Sequence, residues 1–272
     1  MLRQRVLVAA VLLPVGLWVF AVGGWVFAGA VALIIGLAGR EFVLLFRNRQ
    51  LRPSAPLLVV GASGLVLARH AWGFDPTAPI AGGLALAAMC WHLVDYERGA
   101  ERSGTDFGVT LGGVLYLGVV GAYLVSLRDL PDGLWWLLIT LPAVWLGDSA
   151  AYFLGRAYGR HKMSPRLSPN KSWEGYLAGV VIASLTGVGL GALFGPTLGV
   201  AASVTPLAGL GIGLGMGAVT PLGDLGISMM KREAAIKDTG RLLPGHGGAL
   251  DRIDSWLWGG ILGYYLARWL AL

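Results

Sequence analysis

The sequence predicts an all-α, polytopic integral membrane protein, and three observations predict it. Apolar runs recur at the length a bilayer demands, about 20 residues for a spanning helix. Charge is scarce: 56% of the 272 residues are hydrophobic and only 13% are charged, where a soluble domain carries about 25%. The basic residues that remain gather in alternate connections between apolar runs, the pattern of the positive-inside rule.

Taken in chain order, runs punctuated by charge, Pro or Gly give about nine transmembrane helices: 6–22, 25–46, 56–71, 78–94, 108–127, 133–154, 175–195, 205–223 and 255–271. The first follows Arg3 and Arg5, as a secretory signal would. It lacks a small-residue cleavage site and runs straight into the second, so it reads as a retained helix. Arg40 and Glu41, near the end of the second run, read as a snorkelling or structurally salt-bridged pair. Glycine is abundant, with 43 residues. The stretches GVGLG (187–191) and GIGLGMG (211–217) space small residues for close helix packing, within one chain or across a homodimer. With the N-terminus inside, only Arg69, Arg128 and Arg268 of the 21 Lys and Arg residues fall outside. The N-terminus and the long polar loops are therefore expected in the cytoplasm, beneath the cell inner (plasma) membrane.

Residues 1–130 form an N-terminal block of spans. Residues 131–272 form a C-terminal region with two polar loops, 147–175 and 224–254. The formal charge of +6 then sets orientation and does not mark a nucleic-acid surface. The lone Cys90 excludes an intrachain disulfide and a thiolate zinc cage, and the four histidines are scattered. No phosphate-binding GxxxxGK[ST] loop, dinucleotide fingerprint, HExxH pair or GxSxG elbow occurs.

The two polar loops carry the chemistry. Asp148 closely follows the apolar LPAVWL and Asp224 follows GAVTPLG, and a carboxylate at such a depth is a functional candidate. Asp251 and Asp254 stand three apart, on one face if a helix begins there. That spacing serves a divalent metal, which as Mg²⁺ prefers hard oxygen ligands, equally as it serves a helix cap with Asp251 at the N-cap and Asp254 as its partner. Lys171, Lys231, Arg232, Lys237, Arg241 and Arg252 supply positive charge for phosphates, and the glycines of PGHGG (244–248) permit close backbone approach to an anion.

The second loop reads SMMKREAAIKDTGRLLPGHGGALDRID from Ser228 to Asp254. It resembles the signature of the phosphatidate cytidylyltransferase (CDP-diacylglycerol synthase) family, with every spacing kept. Asp148, AYFLGRAYGRHK and SPNKSWEG in the first loop are similar to a second family pattern. Two positions depart from it: Ile227 stands where many members place Glu, and Ala249 where a larger aliphatic residue is usual.

The resemblance implies an active site at the cytoplasmic helix ends, where CMP passes from CTP to phosphatidic acid, giving CDP-diacylglycerol and pyrophosphate for phospholipid synthesis. It implies Asp224, Lys237, Asp238, Asp251 and Asp254 as catalytic residues, with Asp224, Asp251 and Asp254 holding Mg²⁺ and leaving room for a second cation. It implies substrate contacts from Asp148, Ser168, Asn170, Lys171, Lys231, Arg232, His246, Gly247, Gly248 and Arg252. The lipid substrate would come from the membrane itself. A CTP-dependent lipid kinase of the polyprenol type is the closest rival and would leave CDP. An anion transporter is the rival from another class, without the internal repeat such folds display.

Overall fold

The computed structural model describes residues 13–240 and 247–270. Helices dominate it in chain order: α1 (Leu13–Val22), α2 (Gly24–Arg47), α3 (Ala55–Trp72), α4 (Thr77–Glu97) and α5 (Ser103–Gly113). A π-helical turn, Val114–Val119, joins α5 to α6 (Val120–Arg128), and α7 (Gly133–Tyr158) follows. A short hairpin, β1 (Lys162–Ser164) and β2 (Ser168–Ser172), leads into α8 (Trp173–Ala192). The chain ends in α9 (Pro206–Val219), α10 (Pro221–Glu233) and α11 (Leu250–Leu270).

Among the described residues, seven helical stretches are long and apolar enough to cross a membrane, with α5–α6, α8 with its π-helical extension, and α9–α10 each counting as one. They match seven of the about nine expected spans. The other two differ for identifiable reasons. The first expected span begins outside the described residues, leaving the short α1. The last, α11, is helical but carries Asp251, Arg252, Asp254 and Arg268 among its Tyr and Trp residues and is not among the seven. Large apolar side chains such as Val60, Leu86, Phe153, Leu207 and Trp269 lie exposed. Lipid is the solvent such surfaces fit.

The chain forms two compact units. One comprises the residues up to Ser126 together with Met230–Ile253. In it α2 packs on α3, with Phe27, Ile35, Phe42, Leu58, Leu65 and Leu117 in the core. Polar links set the helix ends: the Ser54 N–H donates to Thr110 Oγ1 at 2.9 Å, and Thr110 Oγ1 also meets His92 Nε2 at 2.9 Å. The second unit comprises Leu127–Met229 and the residues from Asp254 on. There α8 packs against both α7 and α9. Gly187 and Gly209 face each other with backbones so close that a Cβ on either would strike the other's carbonyl. The small-residue stripes thus pack within one chain.

The 147–175 segment, expected as a loop, divides into the last turns of α7, the antiparallel hairpin and the start of α8. The hairpin pairs Lys162 with Ser172 and Ser164 with Ser168. Ser172 caps α8 by accepting from the Gly175 N–H at 3.3 Å, and the His161 ring meets Glu174 at 2.6 Å.

Candidate active site

In the second unit, β2 presents Lys171 to Asp224, in the first turn of α10. Their charged atoms are 2.7 Å apart. Lys171 also donates to the Pro221 carbonyl at 3.3 Å, and Ser228, one turn along α10, donates to Asp224 Oδ1 at 3.4 Å. Asp148, on α7, feels the charges of both Asp224 and Lys171. Two carboxylates and one ammonium thus lie in one neighbourhood, with Asp224 making the ion pair. Asp254 is buried, and its Oδ1 accepts from the Ser255 N–H at 2.7 Å. Gly223 lies against the Asp254 backbone, where any side chain would collide. Ser168 and Asn170 share β2 with Lys171; Asn170 is exposed and Ser168 half-buried.

In the first unit, Lys231 lies 2.6 Å from Asp251 Oδ1, with both side chains largely buried. The other Asp251 oxygen accepts from the Thr239 N–H at 2.9 Å, the Thr239 hydroxyl at 3.0 Å and the Gly248 N–H at 3.2 Å. Burial raises the Asp251 pKa, but the Lys231 hydrogen bond, followed by the backbone donors, outweighs it and holds the carboxyl below its ordinary value. Gly247 adopts φ +82°, a conformation that favours glycine, and so turns the chain toward Asp251. Arg252, Lys237 and Asp238 are exposed, as is Arg232, which makes further contacts. His246 and Arg241 lie outside the described residues.

Glu41 gives the largest departure from expectation. Among the described residues it forms no ion pair, and Arg40 is exposed. Instead the buried Glu41 carboxylate accepts from the Ala249 and Leu250 N–H groups and from the Thr239 hydroxyl, each at 2.9 Å. It caps the N-terminus of α11 from α2, where unpaired N–H groups and the helix dipole favour an anion. Asp251 is consequently the second residue of α11 and not its N-cap. Gly248 has no side chain because Glu41 and Thr239 occupy that space. A carboxylate inside an apolar run was the sequence signal for Glu41; its partners, up to 209 residues away, left none. Ile227 is fully buried, so the position where relatives of the signature carry Glu is here part of the packing.

Among the described residues, no group of three or more His, Cys, Asp or Glu side chains could hold a metal ion. Asp224, in the second unit, and Asp251, in the first, are each engaged by a lysine. Mg²⁺ requires less: one or two carboxylates, with waters and substrate phosphates completing its shell. Asp148 and Asp224, two carboxylates against one lysine, have that donor chemistry.

Comparison with known proteins bears on the whole chain. The model of the cytidylyltransferase family matches residues 3–270. A phosphatidate cytidylyltransferase of Synechocystis sp. is 34% identical over 96% of this chain and 95% of its own length. The enzyme of the same name from Mycobacterium bovis is 32% identical over 96% of this chain and 84% of its own, and that from Brucella suis 34% identical over 93% and 88%. Similarity of this extent covers both units and both lysine–aspartate pairs, and the chain belongs to the cytidylyltransferase family.

Proposed function

We propose that this protein transfers the cytidylyl group of CTP to phosphatidic acid, forming CDP-diacylglycerol and pyrophosphate. One observation carries the reading: relatives bearing the name phosphatidate cytidylyltransferase align over nearly the full length of this chain and of their own. A lipid phosphate oxygen forms a bond to the α-phosphorus of CTP while the bond to the bridging oxygen of the leaving pyrophosphate breaks. Both reactants are anions, so repulsion and positioning dominate the barrier. The nucleophile is a phosphate monoester with a second pKa of about 6, already ionised near neutrality, and requires no strong base.

Lys171 and Lys231 each sit beside an aspartate, which holds the ammonium group in place before substrate arrives. We assign Lys171 to phosphate neutralisation and Lys231, through Asp251, to holding the loop. Asp224, with Asp148, is assigned to Mg²⁺. When bound, that ion would draw charge from the CTP phosphates. Asp251 fixes Lys231, Thr239 and the Gly248 turn. The distribution of Lys and Arg supports a cytoplasmic position for these helix ends, where CTP is found, with the lipid substrate supplied by the adjoining leaflet. The multi-pass arrangement of seven apolar helical stretches suits a substrate whose acyl chains stay in the membrane.

The test uses purified full-length protein in mixed micelles with CTP, Mg²⁺ and phosphatidic acid. Pyrophosphate and CDP-diacylglycerol are expected in equal amounts. Release of CDP instead would make the protein a lipid kinase and overturn the assignment.

A further inference from the structure

A cavity of about 950 Å³ is lined by residues of the first unit, none of them a motif residue. It opens where the C-terminal ends of α2 and α4 meet the N-terminal ends of α3 and α5. Four arginines line it: Arg47, Arg52, Arg98 and Arg102. Three carboxylates line it too, but two are turned to internal work. Asp106 is buried and accepts from the Arg52 N–H at 2.7 Å, and Asp95 lies 3.4 Å from the His92 ring. Glu101 is the third and is exposed. Among the described residues Arg47, Arg52 and Arg98 form no ion pair, while Arg102 donates to the Arg49 carbonyl at 3.3 Å.

Two further features point inward. Ser54 is 97% buried (3% exposed) and lines the cavity, yet its hydroxyl has no partner among the described residues. It occupies the N-cap of α3 without capping it. A buried hydroxyl left unpaired is costly, and a ligand acceptor would satisfy it. Neither α3 nor α5 is capped by its N-cap side chain, so two positive helix ends meet the arginines at the same cavity. On the rim, Trp91 is exposed on α4, a helix whose apolar window is only 11% buried and which exposes Leu86 and Leu93. Tryptophan prefers the border between headgroups and acyl chains. The phosphate-binding chemistry is thus continuous with a lipid-facing helix.

We infer that this cavity, lined by none of the residues assigned to cytidylyl transfer, is a binding site for the phosphate of an anionic phospholipid headgroup. Arg47, Arg52 and Arg98 hold the phosphate oxygens, the Ser54 hydroxyl donates to one of them, and the acyl chains lie along α4. The inference does not rest on the proposed reaction. Phosphatidylglycerol is the suitable probe because it carries the headgroup charge without being the proposed substrate.

Native mass spectrometry of the full chain in neutral detergent would compare phosphatidylglycerol with phosphatidylcholine, and the parent with Arg52→Ala/Arg98→Ala. Each basic residue near anionic lipid contributes enough that removing two should weaken phosphatidylglycerol binding about tenfold or more, with phosphatidylcholine binding unchanged as the control for folding. Arg52→Lys/Arg98→Lys should recover much of the loss, and Ser54→Ala should cost a smaller factor. A competition arm with inorganic phosphate separates the sources. Displacement of the lipid only at far higher phosphate concentration supports a headgroup site; tight phosphate binding without lipid preference overturns the lipid assignment. Equal phosphatidylglycerol binding by the parent and the double alanine variant overturns the site.

Discussion

Two lysine–aspartate pairs, one in each unit, use the same two residue types in opposite settings. Lys231 and Asp251 are 12% and 8% exposed, and Asp251 accepts three further hydrogen bonds from the loop it organises. Lys171 and Asp224 are 25% and 38% exposed, with Ser228 and the Pro221 carbonyl as their weaker neighbours. The closed pair is a structural joint. The open pair can exchange partners, because water and ligand reach it and little desolvation opposes the exchange. Identical residue types thus hold a loop in one place and stay open to water and ligand in the other.

The comparison breaks most visibly at Asp251. Asp251→Asn leaves the buried Lys231 charge unopposed and turns an amide N–H toward donors. Breaking a buried pair costs about 3–5 kcal/mol, and thermal unfolding in detergent should show a correspondingly large fall in Tm. A variant as stable as its parent would remove the pair from the set of structural joints. Glu41→Gln comes next. The Ala249 and Leu250 N–H groups meet different oxygens of Glu41, and an amide can accept on only one of its two atoms, so at least one buried donor is left facing an N–H. The expected loss is about 2 kcal/mol, read as a shift in denaturation midpoint, with faster hydrogen exchange at Ala249 and Leu250.

Acid tests the closed pair. Asp251 titrates below the ordinary carboxylate value, so its unfolded form binds a proton at higher pH than its folded form. Its contribution is therefore complete above the unfolded pKa of about 4 and disappears as pH falls through the folded value. Stability of the parent should decline more steeply on acidification than that of Asp251→Asn, which has already lost this term. Parallel curves would show that Asp251 is not the group being titrated.

Much of this architecture was legible in the sequence, for reasons that also mark where legibility stopped. The run LWWLLITLPAVWL announces α7 because length and apolarity alone define a span, and Pro142 inside it is accommodated. The β1–β2 hairpin was not legible: KMS and SPNKS are short and polar and show no alternation that separates a strand from a loop. The motif placed Asp224, Asp251 and Lys171 among the residues of interest, but spacing along a chain does not say which lysine faces which aspartate. Glu41 shows the same limit, since its partner Thr239 is 198 residues away and only folding brings them together.

The smallest effect on stability, and the sharpest test of the contrast, is expected at Asp224. Its side chain is 38% exposed and its partner Lys171 can turn to water, so Asp224→Asn should change stability by less than about 1 kcal/mol. Turnover should respond quite differently. If Asp224 holds the cation and orders Lys171 for the CTP phosphates, removing its charge withdraws electrostatic stabilisation from the transition state and should slow the reaction about a hundredfold or more. Asp251→Asn would lose activity together with Tm, whereas Asp224→Asn would lose activity at a constant Tm. Measured side by side, these two variants separate an aspartate that builds the protein from one that serves its chemistry. A fall in Tm at Asp224 matching that at Asp251 would mean that exposure does not distinguish the two pairs, and the open pair would have to be regarded as a second structural joint.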